Sequence, residues 1–181
     1  MVLVRNFVKG IDWLAERTGT WLSILVVLLM LTMTHEVTMR YVFDAPTIWS
    51  YDITYMLGGV FFLYSASYVL LHEGHVRVDV FYARFSPRHK ILVDLILTPI
   101  LFFPALGVFV YQAWKFALLS LARGEVSMIG IWEPTMVPFR FALAVGFSLL
   151  TLEAISWYTC RAFFMIKGAH FIEGKKLGGG K

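Results

Sequence analysis

The sequence predicts an all-α integral membrane protein: four transmembrane helices, accompanied by amphipathic helices at the membrane surface, with both termini on the cytoplasmic side. Three observations lead there. Hydrophobic residues make up 59% of the 181 residues and charged residues 15%, with a mean hydropathy of +0.71. Soluble domains run at about 45–50% apolar and about 25% charged. Four segments stay apolar over the roughly 20 residues a helix needs to cross a hydrocarbon core about 30 Å thick. Lys and Arg fall mostly on one side of those segments, as cytoplasmic loops require.

Each element has its own justification. Before the first span, Leu3, Phe7, Ile11 and Leu14 recur at helical spacing, with Arg5, Lys9, Asp12 and Glu16 elsewhere. That pattern predicts an interfacial amphipathic helix. The spans follow at about 21–43, 51–71, 91–119 and 136–160. The third is over-long and carries Pro99 and Pro104. Proline removes a backbone donor and clashes with the preceding turn, so a kink is expected there. Two smaller amphipathic stretches, "FYARFSPRHK" and "RAFFMIKGAHFI", flank the spans. Trp13, Trp21, Trp49, Trp132 and Trp157 stand near the span ends, where aromatic belts form. The loop "ARGEVSMIGIWEP" reads as an ordered turn. Residues 1–172 make one membrane domain, and the Gly-rich 173–181 reads as a linker or an expression remnant.

Orientation follows from the basic residues. With the N-terminus inside, Arg5, Lys9, Arg17, Arg77, Arg84, Arg88, Lys90, Arg161, Lys167, Lys175, Lys176 and Lys181 lie inside. Arg40, Lys115, Arg123 and Arg140 lie outside, giving twelve against four. Leaving out Lys181 in the tail still gives eleven against four. No cleavable signal peptide is expected, since charges run through the N-terminal stretch without a compact apolar core.

Several chemistries are excluded or disfavoured. One cysteine, Cys160, makes neither an internal disulfide nor a CxxC pair. Phosphate-binding glycine loops and nucleophile elbows are missing, so the chain carries no ATPase. "HEGHVRVDVFY" (72–82) gathers His72, Glu73, His75, Arg77 and Asp79. Its spacing is not H-E-x-x-H, and Gly74 ends the second span, so a surface turn is preferred to a zinc site. His35 is the one histidine inside a span, which disfavours bis-His haem ligation between facing helices. A haem- or quinone-binding anchor of a respiratory enzyme is the alternative function. No catalytic, metal or cofactor residues are expected, and no nucleic-acid partner.

Charged groups inside spans default to functional candidates. Glu36 and Arg40 are i,i+4 neighbours able to pair on one helix face. If they pair only with each other, exchanging the two charges should be tolerated better than reversing either. Glu153 stands about one and a half turns to the cytoplasmic side of the fourth span's centre, and Asp52 at the outer end of the second.

Three stretches together resemble a known family. "MRYVFDAPTIWSYDI" (39–53) shows an R-Y-V-F-[ND]-x-P-x-x-W block, and "HEGHVRVDVFY" a G-H-[VI]-R-[VM]-D block. "GIWEPTMVPFRFALAVGFSLLTLEAI" (130–155) fills the fourth span. In this order, over about 15–165, they resemble the DctQ-type small membrane subunit of tripartite ATP-independent periplasmic (TRAP) transporters. The family usually has Glu shortly after the tryptophan; here Trp49 is followed by Ser50, Tyr51 and Asp52.

The resemblance implies a non-catalytic subunit of a secondary transporter in the bacterial inner membrane. A large membrane subunit would carry the substrate and coupling-sodium sites and move as an elevator. This chain would brace its stationary scaffold among the membrane lipids. A periplasmic receptor would deliver an organic acid and dock outside. Assembly candidates are then Glu36, Arg40, Trp49, Asp52, His75, Arg77, Asp79 and Glu153; receptor-docking candidates are Asp44, Arg123, Glu125 and Glu133.

Overall fold

The computed structural model describes residues 2–72, 95–128 and 131–167. Among the described residues, four helices are long and apolar enough to cross a membrane. Helix α1 spans Val2–Tyr41 and α2 spans Ser50–Leu71. The third span, Leu95–Arg123, contains a π-helical turn at Thr98–Phe102 and then α3, Phe103–Arg123. Helix α4 spans Val137–Lys167.

The expected interfacial helix is not separate from the first span. At about 1.5 Å per residue the 40 residues of α1 run for about 60 Å, twice a hydrocarbon core. Its buried residues also differ from the expected face. Val8, Ile11, Ala15 and Leu22 are buried, whereas Leu14 is 45% exposed. The reason is packing: Asp12 accepts a 2.9 Å hydrogen bond from Ser156 of α4, and Gly19 lies against the Tyr68 ring of α2. The N-terminal half of α1 therefore belongs to the bundle.

The proline-rich span shows where its strain went. Pro99 has no N–H to give the Leu95 carbonyl, its α-helical acceptor. The ladder widens, and the Phe103 N–H bonds Thr98 O, five residues back. The Tyr158 hydroxyl of α4 donates to Leu95 O at 3.4 Å in place of the missing donor.

Helices α2 and α4 form the middle, with α1 packed mainly on α2 and α3 on α4. The apolar window of α4 is 39% buried, that of the third span only 6%. Small residues let the middle pair approach, as membrane packing favours. A Cβ on Gly146 would stand 2.8 Å from Leu63 Cδ2. Leu63, Leu70, Leu106, Leu150 and Ala154 make the core there. Polar ties cross each interface: Thr54 to Met33 Sδ at 3.6 Å, Tyr64 to Ala142 O at 3.1 Å, and Trp114 to Ser148 Oγ at 3.0 Å.

Candidate functional site

One group of polar contacts lies where the two described connections, α1–α2 and α3–α4, come together. α1 ends by wrapping back: Ala45 N–H reaches Met39 O at 2.9 Å around a left-handed Asp44. This return brings Thr47 onto Glu36. Arg40 donates to Glu36 Oε1 through Nε at 3.0 Å and Nη2 at 2.6 Å. The Thr47 N–H donates to Glu36 Oε2 at 3.1 Å, and so does its hydroxyl. Glu36 thus fastens the loop as well as pairing with Arg40. Next to it the Trp49 ring lies 5.5 Å from the His35 ring.

Asp52 sits in the first turn of α2, where unsatisfied N–H groups and the helix dipole favour a carboxylate. It is 1% exposed, and its Oδ1 accepts a 2.6 Å hydrogen bond from Ser127 in the α3–α4 connection. This bond joins the start of α2 to the α3–α4 connection. Helix α3 ends at Gly124, left-handed at φ 60, whose N–H closes onto Ser120 O. The chain then forms the expected ordered turn: an antiparallel bridge pairs Val126 with Thr135. Ser127 N–H bonds Pro134 O at 2.8 Å, and Met136 N–H bonds Glu125 O at 2.9 Å. Arg140 of α4 holds Glu125 at 2.5 Å and stacks over Phe116 at 5.6 Å.

The candidates thus sort by place. Glu36, Arg40, Trp49 and Asp52 share the connected end with Asp44, Arg123, Glu125 and Glu133. Glu125 is held by Arg140, while Asp44, Arg123 and Glu133 are exposed. Asp44 and Glu133 both take φ 50, a costly backbone for a side chain other than Gly, at roughly 1–3 kcal/mol each. Glu153 is separate: it lies in the other half of α4, fully buried beside the core residue Ala154. His75, Arg77 and Asp79 lie outside the described residues. Sequence reasoning missed Thr47, Ser127 and the Asp12–Ser156 bond. Their separations of 11, 75 and 144 residues carry no local signal.

The exposed tips of the two connections are apolar. Tyr41, Val42 and Phe43 stand 64–79% exposed on one; Met128 is 92% and Ile131 82% exposed on the other. The connected end therefore offers apolar tips, three exposed charges and two strained acidic positions on a frame fixed from beneath. That arrangement suits protein contact; its carboxylates are occupied by Arg40, Thr47, Ser127 and Arg140 or lie exposed on loops.

No curated protein matches the chain. Residues 29–162, which are 134 of the 181, match the family described as tripartite ATP-independent periplasmic transporters, DctQ component, and the chain belongs to that family of small TRAP-transporter membrane subunits.

Proposed function

We propose that this chain is the non-catalytic, stationary subunit of a sodium-driven TRAP transporter of the inner membrane. In this reading it braces the scaffold of a large elevator-type subunit and helps dock a periplasmic receptor that delivers an organic acid. The family match over 29–162 carries the reading. The bundle supports it, because hydrogen bonds cross from α1 to α2, α2 to α4 and α3 to α4, as a fixed platform needs. The apolar-tipped connected end supports receptor docking on the periplasmic side, with both termini cytoplasmic. Sodium and substrate belong to the large subunit.

The test is uptake by vesicles holding the large subunit, with receptor, labelled organic acid and an imposed sodium gradient. Sodium-dependent uptake should require this chain, while receptor–substrate affinity in solution should not change without it. Equal uptake with and without the chain would sink the proposal.

A further inference from the structure

We propose that the outward face of α3, around Gln112 and Lys115, seats a transmembrane helix of the large membrane subunit. This rests on the functional reading above and adds the face, the depth and the chemistry of the contact.

Gln112 is the eighteenth residue of the 29-residue span Leu95–Arg123, about 4.5 Å along the axis from its middle. It is exposed, and Lys115 is exposed one turn further toward the connected end. Neither makes a hydrogen bond or ion pair with the described residues. Several exposed hydroxyls of α1 behave differently. Thr20, Ser23 and Thr38 of α1 return their hydroxyls to their own helix, donating to Glu16, Thr20 and Thr34 carbonyls. A hydroxyl can do that and still face lipid; a Gln amide with two donors cannot be satisfied by its own helix in this way.

Acyl chains offer no hydrogen-bond partner, and headgroups begin about 15 Å from the mid-membrane. Lys115 can snorkel outward along its stem, but Gln112 has no such reach. An amide at this depth therefore belongs against protein. Space for it is already shaped. A cleft of about 490 Å³ between α3 and α4 is lined by Gln112 together with Phe109, Phe116, Phe139, Phe147 and Arg140. One exposed stretch of α1 contrasts with this: Ile24, Val27, Leu28 and Leu31 present hydrocarbon and suit lipid. The occupant that fits α3 is a helix with a bulky apolar side chain for the cleft. It also carries a hydrogen-bonding side chain opposite Gln112 and a carboxylate near Lys115.

The experiment uses the tagged chain co-expressed with its large subunit. A photo-crosslinking phenylalanine analogue replaces Gln112, or Leu31 as the control, and membranes are irradiated before purification. The expected result is an adduct with the large subunit at position 112 in at least tenfold excess over position 31. Lys115→Glu should lower recovery of the complex severalfold, and Lys115→Arg should retain it. The proposal is overturned if the wild-type complex forms but position 112 crosslinks only to lipid or to a second copy of this chain. It is equally overturned if position 31 gives the large-subunit adduct and 112 does not. If the wild-type chain recovers no large subunit at all, the functional reading fails and this contact with it, a result separable from the other two.

Discussion

Glu36 accepts from two partners at once, and that decides how its charge pair behaves. Arg40 is 55% exposed on its side chain, and an ion pair with one exposed member contributes about 0–1 kcal/mol. The two bonds from Thr47 are different, because losing them frees the α1–α2 connection. Arg40→Gln should therefore cost under about 1 kcal/mol, and Glu36→Ala about 1–3 kcal/mol, read as the shift in thermal unfolding of the detergent-solubilised protein. The double exchange Glu36→Arg with Arg40→Glu should not recover stability, since an arginine at 36 has nothing to accept from Thr47. This replaces the expectation from spacing alone, which allowed a tolerated exchange. Recovery to within experimental error would show that Thr47 contributes nothing. At this scale the sequence was half legible. The i,i+4 pair can be read from a helical wheel, whereas Thr47 arrives only through the left-handed Asp44 turn. Asp52 was visible as a carboxylate in a shifted register, but its partner Ser127 lies 75 residues away. Removing that partner should show as well: Ser127→Ala leaves a buried carboxylate short of its donor and should lower the unfolding midpoint, by about 1–3 kcal/mol in stability.

The four helices were legible because twenty apolar residues in a row have one stable conformation in lipid, with every backbone bond closed internally. What hydropathy does not give is which faces meet, since lipid-facing and partner-facing residues are equally apolar. Glycine and hydroxyl positions settle it here: Gly19 under Tyr68, Gly146 under Leu63, and Tyr158 on the Leu95 carbonyl. The amphipathic N-terminal segment shows the same limit, because its pattern gives a helix but not that it continues into the first span. Prolines in the third span correctly signalled irregularity, and its form follows from the missing N–H of Pro99. Tyr158→Phe should then weaken the α3–α4 contact by about 0.6 kcal/mol, and by no more than about 1.7. Pro99→Ala restores the donor that Tyr158 replaces, so adding Tyr158→Phe to it should cost less than in the wild type. Additive losses in that double-mutant cycle would mean that Tyr158 does not substitute for the proline's missing hydrogen bond. Gly146→Val is the sharper insult at this level. Its Cβ and two γ-methyls have no room between Leu63 and Tyr64, so the α2–α4 pair should separate and the purified subunit should lose its cooperative melt.

Orientation is a property of the whole chain, and on it depends which partner each end can meet. The charge count puts eleven basic residues, Lys181 excluded, on the terminal side and four on the side of the connected loops, and translocation disfavours Lys and Arg in short loops. If the connected end faces the periplasm, its apolar tips and exposed Asp44, Arg123 and Glu133 stand where a soluble receptor arrives. If it faces the cytoplasm, receptor docking there is impossible, whatever its shape. Single cysteines decide between these, introduced into a Cys160→Ser background so that the one native thiol, itself buried, does not report. Met128→Cys lies on the most exposed tip and Asn6→Cys on the exposed side of the opposite end of the bundle. A membrane-impermeant maleimide added to cells with a permeabilised outer membrane should label position 128 at once. It should reach position 6 only after the inner membrane is opened. The receptor, added beforehand with its substrate in the presence of the large subunit, should slow labelling at 128 and leave position 6 unchanged. Labelling of position 6 in sealed cells, with 128 protected, would invert the molecule. It would remove the receptor from this face and leave the contact along α3 as the chain's means of joining the transporter.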